Sequence, residues 1–427
     1  MGRGYKIAFL IVLMAGALAL AGCSGLFGNR ETSDAVTLPP IFPENTIPVA
    51  TPAATEETLP AGETPLFPLT LSYERSLAWQ AALERADSRI EKMEDRELLL
   101  QLLIVTPEIV GKDVPVLNAE ESLLEEYPVG GLLIRSQNAD SSAQLQGLTA
   151  GYQESSRIPL LIMAEEEGGR NVTVMKKLDL PRISNMFSYR GDGLAKAYDN
   201  ARTIASGLAD LGINTDLAPV ADVWSELENR TIGERAYSDD FEKASQLVAE
   251  AVRGFRSQNV ICTLKHFPGL GTSVLPTKQS AAVQLERTKQ QLLEEDLLPF
   301  AAGIQAGADV VMIGNAFVPQ LDDTAPAPFS YAVVTLLLRG EVGFHGVVIT
   351  DELAPALKEY DVTAGSAVLK ALSAGCDLIL WPVESREDLD ECLAILTAAM
   401  EAGNLTRERL AESVRRVLAL KAVYGIW

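Results

Sequence analysis

Two carboxylates, Asp351 and Glu352, follow closely on the apolar run Val347-Val348-Ile349. A run without polar alternation suits a parallel strand covered on both faces. Asp351 then falls at the strand's carboxyl end, where barrel enzymes carry their reacting groups. A lone acid there also suits a helix N-cap. Other apolar runs, however, end in polar residues too. One leads into Glu165-Glu166-Glu167-Gly168-Gly169-Arg170, and another into Asp222 with Gly233-Glu234-Arg235 further on. Others lead into Lys265-His266-Phe267-Pro268-Gly269, Gly314-Asn315 and Trp381-Pro382. Each residue alone reads as an ion pair or a cap. Together they offer carboxylates, cations, an imidazole and an aromatic ring. That mixture suits a neutral polyhydroxylated ligand, whose hydroxyls need both donors and acceptors and whose ring face an aromatic side chain can cover.

Positioning them requires strands that end on one face. Short apolar runs at 102–105, 131–134, 160–164, 216–220, 260–264, 309–313, 347–349 and 378–380 read as buried strands. Helical material fills most gaps, as at 195–211, 241–258, 288–306, 331–338 and 364–374, and the chain turns helical from about residue 72. Alternation of this kind implies right-handed crossovers and a parallel sheet. Eight such units predict an α/β fold, a (β/α)8 TIM barrel spanning 72–427. An open doubly wound sheet is the competitor, but no G-x-G-x-x-G follows an early strand to mark a dinucleotide site.

The net charge of −22 argues against nucleic acid and against electrostatic attachment to anionic lipid. With two histidines, His266 and His345, and no Cys-x-x-Cys pair, the chain shows no metal-ligand cluster, and no cofactor is expected. Cys262, Cys376 and Cys392 sit in apolar contexts and read as buried small hydrophobes. Met1 to Gly22 has a basic start (Arg3, Lys6) and an apolar run too short for a membrane span, as in a secretory signal. Its end, Leu20-Ala21-Gly22-Cys23, resembles the bacterial lipobox. Residues 1–22 would then be a lipoprotein signal, with Cys23 the lipidated residue of an exported, membrane-tethered protein. Residues 23–71, rich in Pro and Thr, read as an extended, disordered linker.

The motifs Glu165 to Arg170, Lys265 to Gly269 and Thr350-Asp351-Glu352-Leu353 resemble, in order and spacing, those of glycoside hydrolase family 3. The single-barrel β-N-acetylhexosaminidase branch is the nearest likeness. Ala218 to Val223 and Gly233 to Ser238 resemble the family's fourth-strand segment. The resemblance covers about residues 90 to 425. It implies a retaining mechanism in which Asp351 is the nucleophile and forms a glycosyl-enzyme intermediate. It makes Lys265, His266, Arg235, Glu165 and Asn315 sugar-binding residues, with a carbohydrate, an amino-sugar glycan of the cell wall or a related one, as partner. Glu165 stands where the family usually has Asp, Asn315 where it often has His, and Thr173 near a usual Arg.

One departure bears on the chemistry. The branch carries its general acid/base, a His oriented by an Asp, on the loop after Lys-His-Phe-Pro-Gly. Here residues 270 to 280 contain no His, Asp or Glu, and Pro276-Thr277-Lys278 fall at the Asp-Ser-His positions. Lys278 could serve only with its pKa lowered by several units, and His345 precedes the seventh strand, at the far end of the barrel. Two readings follow. The chain is a hydrolase with a substitute acid, such as Glu352 or a group from another chain. Alternatively it is a lipid-anchored sugar-binding protein that lacks the chemistry. A purely structural envelope protein would leave the polar strand ends unexplained.

Overall fold

A computed structural model describes residues 73–111, 116, 118–119, 122–273 and 283–427. Residues 1–72, with Cys23 and most of the linker, lie outside the described residues, as do 274–282 with Lys278. Among the described residues, eight strands form one parallel sheet: β1 (Leu103–Val105), β2 (Gly131–Leu133), β3 (Leu161–Ala164), β4 (Thr215–Asp216), β5 (Ile261–Phe267), β6 (Val310–Ile313), β7 (Val347–Thr350) and β8 (Ile379–Leu380). The order is β7-β6-β5-β4-β3-β2-β1-β8. A bridge between Ile349 and Leu378 joins β7 to the approach of β8. The Thr350 amide donates to the Leu378 carbonyl across that seam at 3.0 Å. The sheet therefore closes into the expected (β/α)8 barrel.

Every residue of these strands is buried. Side chains on one face fill the barrel and those on the other pack under the helices, which is why the strands show no polar alternation. The helices begin where short polar residues can cap them. Ser141 accepts from the Gln144 amide, Asp240 from Lys243, Thr363 from Ser366 and Thr406 from Arg409. Two helices, Leu298–Ala306 and Ala364–Ala374, stop at Gly307 and Gly375 in the left-handed conformation and turn the chain into β6 and β8.

The fourth apolar run was expected to be a strand over 216–220. The ladder covers only Thr215–Asp216, with one further bridge at Val220. Pro219 lies in that gap and has no amide to donate. The fifth strand instead runs on to Phe267, so Lys265 and His266 belong to the strand itself. The stretch 288–306 is not one helix. It is a turn at Lys289–Gln291, a π-helical segment Leu292–Asp296, and an α-helix from Leu298 with Pro299 in its first turn, the position proline tolerates. Ala332–Glu341 is also π-helical. A short apolar pattern does not separate i→i+4 from i→i+5 pairing.

At the amino-terminal end of the barrel, Lys421 from the last helix is fully buried. Its Nζ donates to Gln101 Oε1 at 3.0 Å, and Gln101 donates to the Pro128 and Val129 carbonyls. Burial lowers the Lys421 ammonium from 10.5 to about 7. The unfolded chain keeps that proton up to the ordinary lysine value, while the fold releases it near 7. Between these values the unfolded state binds more protons, so this residue makes stability rise with pH. Below about 7 both states are charged and its burial cost is constant. Urea unfolding of wild type and Lys421→Met from pH 6 to 10 should show wild type gaining stability relative to the variant above pH 7. A constant difference between the two would contradict this.

Candidate active site

The carboxyl end of β3 continues through Glu165 into a hairpin, in which Glu166–Gly168 pairs antiparallel with Asn171–Val172. Side chains alternate along an extended strand. Glu165 and Glu167 therefore face one way and Glu166 the other. Glu166 is fully buried, and its Oε1 accepts from the amides of Thr173, Val174 and Met175 and from the Thr173 hydroxyl. Thr173 is thus a partner of Glu166 and anchors the hairpin. A cavity of about 370 Å³ is lined by Glu166, Met175, Lys176, Leu180, Arg182 and Ile204. Asp351, Glu165, Arg235, Lys265, His266 and Asn315 do not line it; they lie at the barrel mouth.

Glu165 and Glu167 converge on Lys265. Its Nζ stands 2.6 Å from Glu165 Oε1 and 2.7 Å from Glu167 Oε1. Arg235, from the long segment after β4, forks onto Glu167, with Nε 2.8 Å from Oε2 and Nη2 2.7 Å from Oε1. Lys265 and Glu167 are sealed from solvent, whereas the Glu165 side chain keeps 33% of its exposure. Burial works against the Glu167 charge, but Lys265 and Arg235 hold its carboxyl below the usual range. Burial likewise works against the Lys265 charge, and Glu165 and Glu167 hold its ammonium above the ordinary lysine range.

The next residue, His266, extends the network. Its Nδ1 is 2.7 Å from Asp222 Oδ2, and its Nε2 is 3.2 Å from Arg235 Nη2. A guanidinium can only donate, so Nε2 accepts and the ring proton resides on Nδ1, donated to Asp222. Asp222 also accepts the backbone amides of His266 and Leu270. It thereby fixes the imidazole and the chain leaving β5.

Asp351 lies past the end of β7, half-buried. Its amide donates to the Ile313 carbonyl, and its Oδ1 accepts the Glu352 amide at 2.8 Å. Glu352 reaches Arg135, beyond β2, with Oε1 3.0 Å from Nη1. The Arg135 guanidinium lies 4.3 Å from the centre of the Trp381 ring, beyond β8. Asn315 Nδ2 donates to the Glu352 carbonyl at 3.1 Å, while Asn315 Oδ1 is buried and unpartnered.

Of the residues expected to form a site, Glu165, Arg235, Lys265 and His266 join in one continuous network. Asp351 and Asn315 meet at Glu352. Three contributors had no role assigned from sequence. Glu167 is the hub of the ion pairs, and its spacing of two from Glu165 was the available signal. Asp222 orients His266. Arg135, two residues past the second strand, offered a lone cation and no motif. Among the described residues, no group of three or more His, Cys, Asp or Glu side chains could hold a metal ion.

The model of the glycosyl hydrolase family 3 N-terminal domain matches residues 96–420. The chain belongs to glycosyl hydrolase family 3. It is 30% identical over 324 residues to the β-hexosaminidase A of Pseudoalteromonas piscicida, covering 70% of this chain and 54% of that protein. It is 36% identical over 281 residues to a β-hexosaminidase of Stenotrophomonas maltophilia, covering 64% of this chain and 82% of that one. A solved family 3 β-N-acetylglucosaminidase from Paenibacillus superposes with a TM-score of 0.71 at 32% identity, over 78% of this chain and 63% of that one. The chain thus spans about half the length of the first relative and under two thirds of the Paenibacillus structure.

Glu167 makes a sharp test of the network. Removing one partner of a buried ionic cluster leaves uncompensated charge, which costs about 3–5 kcal/mol. Glu167→Gln should lose stability of that order in urea at pH 7. The native carboxyl is held below its unfolded value of 4.5, so its contribution is present above that value and fades as pH falls below it. Wild type should therefore begin to lose its advantage over Glu167→Gln as pH falls below 4.5 and keep losing it as pH drops further, as followed by urea midpoints.

Proposed function

We propose that this chain is a retaining glycosidase that removes terminal β-linked N-acetylglucosamine from cell-wall or related glycans, with Asp351 as nucleophile. The observation that carries this is the placement of Asp351 past β7 on the barrel mouth that also holds the Lys265–Glu167–Arg235–His266 network. A carboxylate beside the anomeric carbon can attack it and hold the sugar as an ester, which water then cleaves. Glu165, the most exposed member of the network, can accept from sugar hydroxyls while Lys265, sealed behind it, holds its carboxylate in place. Its extra methylene, relative to the family's usual aspartate, brings that acceptor about one bond further into the pocket. The hexosaminidase names of the similar proteins support an amino sugar as substrate. Residues 1–22 are proposed as the export signal, Cys23 as the lipid anchor and 23–71 as a tether. The enzyme would then work on the outer face of the cell membrane, or in the periplasm or at the outer membrane of a two-membrane envelope.

A second reading, a sugar-binding protein without turnover, is favoured by one observation: residues 270 to 280 carry none of the His, Asp or Glu that the family's acid/base would need. Hydrolysis of a chromogenic β-N-acetylglucosaminide by the purified chain separates the two. Asp351→Asn should lower kcat/KM by on the order of 10⁴-fold or more while calorimetric binding of N-acetylglucosamine persists. No hydrolysis by wild type, with binding intact, would establish the second reading.

A further inference from the structure

Breaking a glycosidic bond needs a proton for the departing oxygen as well as a nucleophile, and the segment after β5 offers no imidazole or carboxylate through residue 280. We propose that Glu352 is the general acid and base of this glycosidase, carried beside the nucleophile and oriented by Arg135. The assignment rests on the reading of the chain as a retaining glycosidase with Asp351 as nucleophile.

The titratable groups of the Lys265 network are committed elsewhere, and Asp216, at the end of β4, is fully buried and accepts the Glu166 amide. Glu165 and Glu167 share the Lys265 ammonium, and Glu167 also takes the Arg235 fork. Asp222 accepts from the His266 ring and from two backbone amides. His266 gives its proton to Asp222 and meets Arg235 with its other nitrogen. His345 is exposed ahead of β7, at the opposite end of the strand from Asp351. Glu352 differs. Arg135 holds its Oε1 alone, and among the described residues nothing hydrogen-bonds Oε2. Its side chain keeps 28% of its exposure, so both a leaving group and a water can reach it. Arg135 is itself held against the Trp381 ring, which fixes the direction of the carboxyl.

The charges around Glu352 suit the two tasks in turn. Burial, with Asp351 and Glu165 nearby, raises its carboxyl above the ordinary glutamate value, while Arg135 opposes the rise. An elevated carboxyl beside an ionised one is how acid and nucleophile are told apart in such sites. In the first step Asp351 attacks the anomeric carbon, the bond from that carbon to the aglycone oxygen breaks, and the Glu352 proton passes to that oxygen. The aglycone leaves as a neutral alcohol. Asp351 is now an uncharged ester, so one of the charges that raised Glu352 has gone, and Glu352 is left as a carboxylate able to act as base. In the second step Glu352 takes a proton from water, the water oxygen bonds to the anomeric carbon, and the Asp351 ester bond breaks. Both carboxyl groups return to their starting states.

The test compares wild type, Glu352→Gln and Lys278→Met on two substrates. One is a β-linked N-acetylglucosamine disaccharide, whose leaving alcohol needs a proton. The other is the 2,4-dinitrophenyl glycoside, whose leaving phenolate does not. Glu352→Gln should lose about 10²–10⁴-fold on the disaccharide and about tenfold or less in kcat/KM on the dinitrophenyl glycoside. The latter activity also certifies a folded site. Sodium azide should accelerate the variant and yield a β-glycosyl azide, and the alkaline limb of the disaccharide kcat/KM profile should vanish. Equal losses on both substrates, no loss on either, or the leaving-group pattern appearing in Lys278→Met instead would overturn the assignment. If wild type cleaves neither glycoside, the glycosidase reading fails and the assignment with it. If wild type cleaves both through Asp351 and Glu352→Gln matches it, only the assignment of Glu352 fails.

Discussion

A lysine ammonium sealed inside the mouth of a barrel is unstable unless negative charge is brought to it, and Lys265 imposes that demand here. Two carboxylates answer it from the end of β3, and a guanidinium from the segment after β4 locks the more deeply buried one in place. Lys265 and these partners come from three different parts of the barrel. The charge network therefore ties the β3 hairpin, the long segment before β5 and the strand β5 into one rigid wall. His266 is fixed by the same network through Arg235 on one side and Asp222 on the other.

On the proposed function this wall is the sugar-binding surface, its donors and acceptors already held in place by one another. The proposed nucleophile, Asp351, lies past the end of β7, on a separate element. Binding and bond-breaking are thus supported by different parts of the barrel. The loop beyond β5 carries the departure from the family pattern seen in the sequence. Asp222 holds the start of that loop through the Leu270 amide, Thr272 donates to Asp296, and Arg287 reaches Asp296 from the far side of the loop.

The barrel was legible because its strands are buried on both faces and its helices on one. The eight apolar runs and the gaps between them carry distinct periods, and each run became a barrel strand. The polar residues after those runs pointed to the barrel mouth for the same reason. Geometry that depends on hydrogen-bond pairing was not legible. Pro219 shortens β4 without altering the apolar run, and the π-helical turns at Leu292–Asp296 and Ala332–Glu341 leave no mark distinct from an α-helix. Glu167 went unrecognised because a run of three glutamates does not show which face each takes until the hairpin fixes the alternation. Arg135 went unrecognised because its partners, Glu352 and Trp381, lie more than two hundred positions away in the chain.

In the proposed reaction Asp351 forms a covalent bond to the sugar while the Lys265 wall holds it. Incubation of the chain with 5-fluoro-N-acetylglucosaminyl fluoride, followed by peptide mass spectrometry, tests this most directly. Its leaving fluoride needs little acid assistance and its 5-fluorine slows release of the intermediate. One sugar attached to the peptide that contains Asp351 is the predicted result. Time-dependent inactivation with the label on another residue, or turnover with inversion at the anomeric carbon and no covalent adduct, would contradict it.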